Sequence, residues 1–151
     1  MNEEKYLYIL MRNDLGSLGP GRAAAQASHA ANAFIHKYGN TKDAKAWTAS
    51  TAQGFGTAIV LCGNLLQITE ATLKAHNQGF PTGNIVDPDY AITISAEIVP
   101  FLSKELKGIK VEQSEKDPNK FVIHRQEITC AYIFGNKEEL ALILGELPLY
   151  S

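Results

Sequence analysis

Residues 6–38 read YLYILMRNDLGSLGPGRAAAQASHAANAFIHKY, and this stretch decides the fold class. Residues 6–11 are all aromatic or aliphatic and are followed by Arg12, Asn13 and Asp14, the pattern of a short strand buried on both faces. Gly16, Gly19 and Gly21 make the next segment a loop, and Pro20 suits the first position of a helix running to about Tyr38, where Gly39 and Asn40 stop it. Strand, loop and helix in that order open an α/β unit.

Outward from this start the alternation continues. Residues 42–52, around Trp47 and after the capping candidate Thr41, read as a second helix, with Trp47 as its core anchor. Residues 57–62 read as a buried strand, residues 65–77 as a helix, residues 83–87 and 129–134 as strands, and residues 137–144 as a final helix. Between Asp87 and Thr129 the alternation breaks. Residues 98–106 read there as a short helix, and residues 109–113 and 121–125 as a hairpin around Asp117 and Pro118. The expectation is one α/β domain over residues 1–151 with an insertion at about 92–125.

Composition sets the limits. At 151 residues there is room for one core, and 45% hydrophobic with 20% charged residues excludes disordered, collagen-like and coiled-coil chains. No apolar run approaches the roughly 18 residues of a membrane span, and residues 1–5 are polar, so a cytoplasmic protein that does not engage membranes is expected. Cys62 and Cys130 sit in apolar runs without metal-ligand spacing, which predicts two buried thiols and no metal site. The net charge of −2 does not advertise a polyanion partner, but residues 1–56 hold six basic and four acidic side chains against eight and twelve in residues 57–151. A basic patch belongs in the first part.

Arg22, Gln26 and His29 fall at i, i+4 and i+7 on the first helix and project from one stripe, opposite Ala23, Ala24, Ala27, Ala30, Ala31 and Phe34. One reading makes them the solvated side of an amphipathic helix. The other uses their position: the stripe begins just after a Gly-rich loop at the carboxyl end of a strand, where open α/β sheets gather ligands and helix starts favour anions. The loop is neither a dinucleotide fingerprint nor a P-loop. His36, His76 and His124 are expected as surface or hydrogen-bonded residues, and Ser28 has no triad partners at recognisable spacing.

The opening resembles that of the type 2 peptidyl-tRNA hydrolases. Their signature is a strand ending near Arg-x-Asp-Leu, matched here by residues 12–15, then Gly-Lys-x-Ala-Ala-Gln-x-x-His-Ala, matched by GRAAAQASHA at residues 21–30. Ile85, Val86 and Asp87 resemble the strand that ends in a functional Asp, Thr129 the late-strand Thr, and GELPLY at residues 145–150 the closing motif. The resemblance covers roughly residues 5–91 and 126–150. It implies a mixed four-stranded sheet with helices on both faces, the inserted helix and hairpin being extra. It further implies a homodimer, no metal or organic cofactor, and hydrolysis of the ester joining a peptide to tRNA. The site residues it carries are Arg22, His29, Asp87 and Thr129 as catalytic, with Gly21 and Gln26 as substrate-binding. Two positions depart from the pattern. Arg22 stands where the family has Lys, and Ala91 where it has a Thr, with Pro88 and Asp89 before it. Arg keeps a positive charge but stays protonated, so it can stabilise an anion but not shuttle a proton. The alternative these departures leave open is a non-catalytic binder of a ligand or partner on the same fold.

Overall fold

A computed structural model describes residues 4–99 and 110–151. Among these, five strands and four helices run in the order β1 (Lys5–Arg12), α1 (Pro20–Tyr38), α2 (Lys42–Ala49), β2 (Ala58–Gly63), α3 (Leu65–Asn77), β3 (Thr82–Ser95), β4 (Lys110–Gln113), β5 (Lys120–Asn136) and α4 (Lys137–Leu144). The chain divides into two compact units, one of residues 1–85 with 128–151 and one of residues 86–127. The second unit is wider than the expected insertion and takes in Asp87. The helix expected over residues 98–106 lies largely outside the described residues.

The strand order β2-β1-β5-β3 is that of an α/β protein with a mixed sheet. β1 pairs parallel with β2, from Leu7 opposite Ala58 to Arg12 opposite Gly63, and antiparallel with β5, from Lys5 opposite Asn136 to Met11 opposite Cys130. Side chains alternate between the faces of a strand, and both faces here are covered. Tyr8, Leu10, Ala131 and Ile133 form one core with Ile68, Ala71 and Ala75 of α3 and Leu140 and Leu144 of α4. On the other face, Phe34 of α1 stacks against Phe134 (ring centroids 4.6 Å apart) and meets Trp47 and Tyr132 edge-on. Trp47 is the core anchor expected of it, and its indole N–H donates to the carbonyl of Thr57 at 2.9 Å. The tail covers the β2 edge, since Cys62 N–H donates to Pro148 and Tyr150 N–H to Val60, both at 2.9 Å. A covered edge cannot template pairing with another chain.

Helix ends follow local chemistry. Thr41 caps α2 through a bond from Ala44 N–H, Asn64 and Gln67 form a reciprocal capping box on α3, and Asn136 caps α4. α1 differs: its cap residue is Gly19, no side chain caps it, and Pro20 follows.

Two expected boundaries are corrected. The strand at residues 83–87 continues through Pro88 to Ser95, and the strands expected at 121–125 and 129–134 are one, β5. Within the second unit the hairpin forms as read, with β4 antiparallel to β5 and Gln113 opposite Phe121. Both cysteines are buried and free, and no described helix is long and apolar enough to cross a membrane.

Candidate functional site

In the first unit, polar groups converge where β1 ends, β5 passes antiparallel beside it, and α1 and α3 begin. Buried residues on α1 are Ala23, Gln26, Ala30 and Phe34, one stripe with intervals of three and four residues that faces the sheet. Gln26 therefore belongs to the buried face and not to one stripe with the exposed Arg22 and His29, so of the two readings of that stripe the solvated side does not hold for Gln26. The cause is a partner 103 positions away. Thr129 Oγ1 donates to Gln26 Oε1 at 2.7 Å, with Thr129 fully buried and Gln26 nearly so. Cys130 Sγ donates to the backbone carbonyl of Gln26 at 3.5 Å, so two adjacent residues of β5 fasten one turn of α1. Burial pushes the Cys130 thiol up to about 12, which leaves it protonated and inert at neutral pH.

Arg22 and His29 are exposed on the same helix, one turn to either side of Gln26, and Arg22 Nη1 lies 3.5 Å from the carbonyl of Ser17 in the preceding loop. Gly21 is exposed beside Arg22. The structure thus joins Gln26 to Thr129 directly and sets Arg22, Gly21 and His29 on the accessible part of α1. Asp87 is half-buried in the second unit, where its Oδ1 accepts from Asp89 N–H at 3.0 Å across Pro88. Ala91 is half-buried in the same unit.

Arg12 was legible only as part of a polar strand terminus. Its side chain is 6% exposed, and its guanidinium bonds both carboxylate oxygens of Asp14 (2.6 and 3.1 Å) and donates through Nη1 to the carbonyl of Ile128 at 2.8 Å. Asp14 Oδ2 in turn accepts from Leu65 N–H, 3.5 Å away at the start of α3. A forked cation is suited to bridging a carboxylate and a carbonyl at once, and the bridge fixes the backbone of the residue just before Thr129. The Arg12 hydrogen bond holds the Asp14 carboxyl below its usual range. The signal available in the sequence was the i, i+2 spacing of Arg12 and Asp14, which puts opposite charges on one side of an extended segment.

A polar cluster also lies among the described residues of the second unit. His124 of β5 lies between Asp89 of β3 (Nδ1 to Oδ1, 3.1 Å) and Glu112 of β4 (Nε2 to Oε2, 3.6 Å), a partly enclosed position beside polar partners. Among the described residues, no group of three or more His, Cys, Asp or Glu side chains could hold a metal ion.

A mixed α/β sheet with an uncapped helix start and a buried polar pair that joins α1 to the central strand β5 defines a protein of the open-sheet α/β class, whose ligands gather at strand ends. The family is settled by comparison. The model of the peptidyl-tRNA hydrolase PTH2 family matches residues 6–109, more than half of the chain, and the chain belongs to that family. No curated protein matches it.

Proposed function

We propose that the protein hydrolyses the ester bond of peptidyl-tRNA, releasing peptide and free tRNA. The observation that carries the reading is the buried Thr129–Gln26 hydrogen bond beneath the exposed Arg22 and His29, in a chain of this family. In the reaction the oxygen of a water attacks the ester carbonyl carbon, the bond from that carbon to the ribose oxygen breaks, and a proton from the water passes to the ribose oxygen. Arg22 stabilises the negative charge that develops on the carbonyl oxygen, or a tRNA phosphate, and remains protonated throughout. Asp87 or His29 orients and activates the water. Thr129 is wholly enclosed, so its role is positioning: its hydroxyl fixes the carboxamide of Gln26, which holds the ester near Gly21 and Arg22. No metal or organic cofactor enters this scheme, and the active species is a homodimer.

The test is cleavage of N-blocked aminoacyl-tRNA by the purified chain and by Asp87→Ala. Turnover by the wild type and its loss in the variant support the reading. An inactive wild type overturns it, and a fully active Asp87→Ala overturns it unless His29→Ala is inactive, which would assign the water to His29. Ala91, which replaces a hydroxyl of the family pattern, favours one second reading, a non-catalytic binder. Retained tRNA binding with no turnover would identify that case.

A further inference from the structure

We infer that the solvent face of α1 is the track on which the phosphate backbone of the tRNA lies, an inference that rests on the proposed hydrolase reading and adds where the body of the substrate docks. Arg22, His29 and His36 recur at intervals of seven residues, and all three are exposed. Seven residues fall about 20° short of two helical turns, so the three side chains stay on one line. At about 1.5 Å per residue the line is about 21 Å long. Lys37, the next residue and also exposed, stands about 100° round the helix from His36, with its Nζ 5.2 Å from the centroid of the Tyr38 ring.

Charge complementarity selects the occupant. Residues 15–42 contain no Asp or Glu, in a chain whose acidic residues outnumber its basic ones, 16 to 14. The two carboxylates that bound this segment are both engaged by cations: Asp14 by Arg12, and Asp43 by Lys5 at 2.5 Å. A polyanion approaching this face meets no unneutralised carboxylate on the segment itself. Between Arg22, His29 and His36 stand Ala25 and Asn32, small and uncharged, which lets a backbone lie close, and the formal cations of residues 15–42 are Arg22, Lys37 and Lys42. A line of this length suits a polymer of phosphates better than a single anionic group. Arg22, at the reaction end, receives the acceptor end, and the track leads away from it toward His36 and Lys37.

The experiment measures binding of deacylated tRNA by fluorescence anisotropy across salt concentrations, with the wild type, the double variant His36→Glu/Lys37→Glu, and His36→Arg. Each phosphate contact contributes about 0.7 to 0.9 to the slope of log K against log salt. The double variant should bind about tenfold more weakly or worse, with a slope reduced by about 1, and His36→Arg should bind at least as tightly as the wild type. KM for N-blocked aminoacyl-tRNA should rise in the double variant with kcat retained. Unchanged tRNA affinity in the double variant, or a wild type that does not bind tRNA, overturns the inference. A wild type that binds tRNA along this face but does not cleave the ester would overturn the hydrolase reading alone.

Discussion

Replacing Thr129 by Val keeps the shape of the side chain and removes its hydroxyl, so no cavity opens and the effect isolates one hydrogen bond. That bond is 2.7 Å long and wholly enclosed, and its acceptor Gln26 is only 7% exposed. Leaving the buried Gln26 amide oxygen without its hydrogen-bond donor costs about 1 to 3 kcal/mol, and Gln26→Met, which strands the hydroxyl instead, should cost a similar amount. Replacing both partners by apolar groups removes both desolvation penalties, so Thr129→Val/Gln26→Met should be less destabilised than the two single losses added together, with a coupling of about 1 to 2 kcal/mol. The assay is urea unfolding of the four proteins, supported by thermal melts in which each kcal/mol moves the midpoint by about 2 to 4 °C for a chain of this size. Additivity to within about 0.5 kcal/mol would refute the claim that these two groups satisfy each other.

Four further outcomes follow from the structure. Arg12→Met should destabilise the protein by about 1 to 3 kcal/mol, because it strands the Ile128 carbonyl and the Asp14 carboxylate. Asp14 is held below its ordinary pKa, so its contribution is present above the unfolded carboxyl value of about 3.9 and is lost as pH falls through the lower folded one. Acid titration of stability below about pH 4 should accordingly be shallower in Arg12→Met than in the wild type. At the other end, burial raises Cys130 and Tyr132 each to about 12. The unfolded chain then loses those protons first, and denaturation midpoints should fall as pH climbs from about 9 toward 12; a flat alkaline limb would contradict the burial of both groups. Gly83→Ala would place a Cβ 2.5 Å from the ring of Tyr132, which the aromatic cluster around Phe34 holds in place, and should cost about 1 to 3 kcal/mol by chemical denaturation.

The first strand, the loop and the alanine-rich helix were legible because their patterns are local: an apolar run, glycines with a proline, and a three-four stripe. The polar pair was not, since Gln26 lies at the border of the buried stripe and only the distant Thr129 decides which way it turns. β5 reads as two strands because Arg125 and Gln126 interrupt its apolar pattern, yet both are exposed strand positions that need no apolar side chain. β3 reads as ending at Asp87 because Asp87, Pro88 and Asp89 form a local turn-like contact, while the strand continues beyond it. Arg12 looked like a strand terminator because a charge after an apolar run is the ordinary sign of exposure. Its burial depends on Ile128, a partner no local pattern displays.

The account is tested most directly by the single-turnover rate of cleavage of N-blocked aminoacyl-tRNA, measured for the wild type and for Thr129→Val shown by circular dichroism to be folded. The wild type should release the N-blocked amino acid, and the variant should do so about 10 to 1,000-fold more slowly through a lower kcat, with tRNA affinity retained. Intact ester after prolonged incubation with folded wild type, or equal rates for the two proteins, would contradict it.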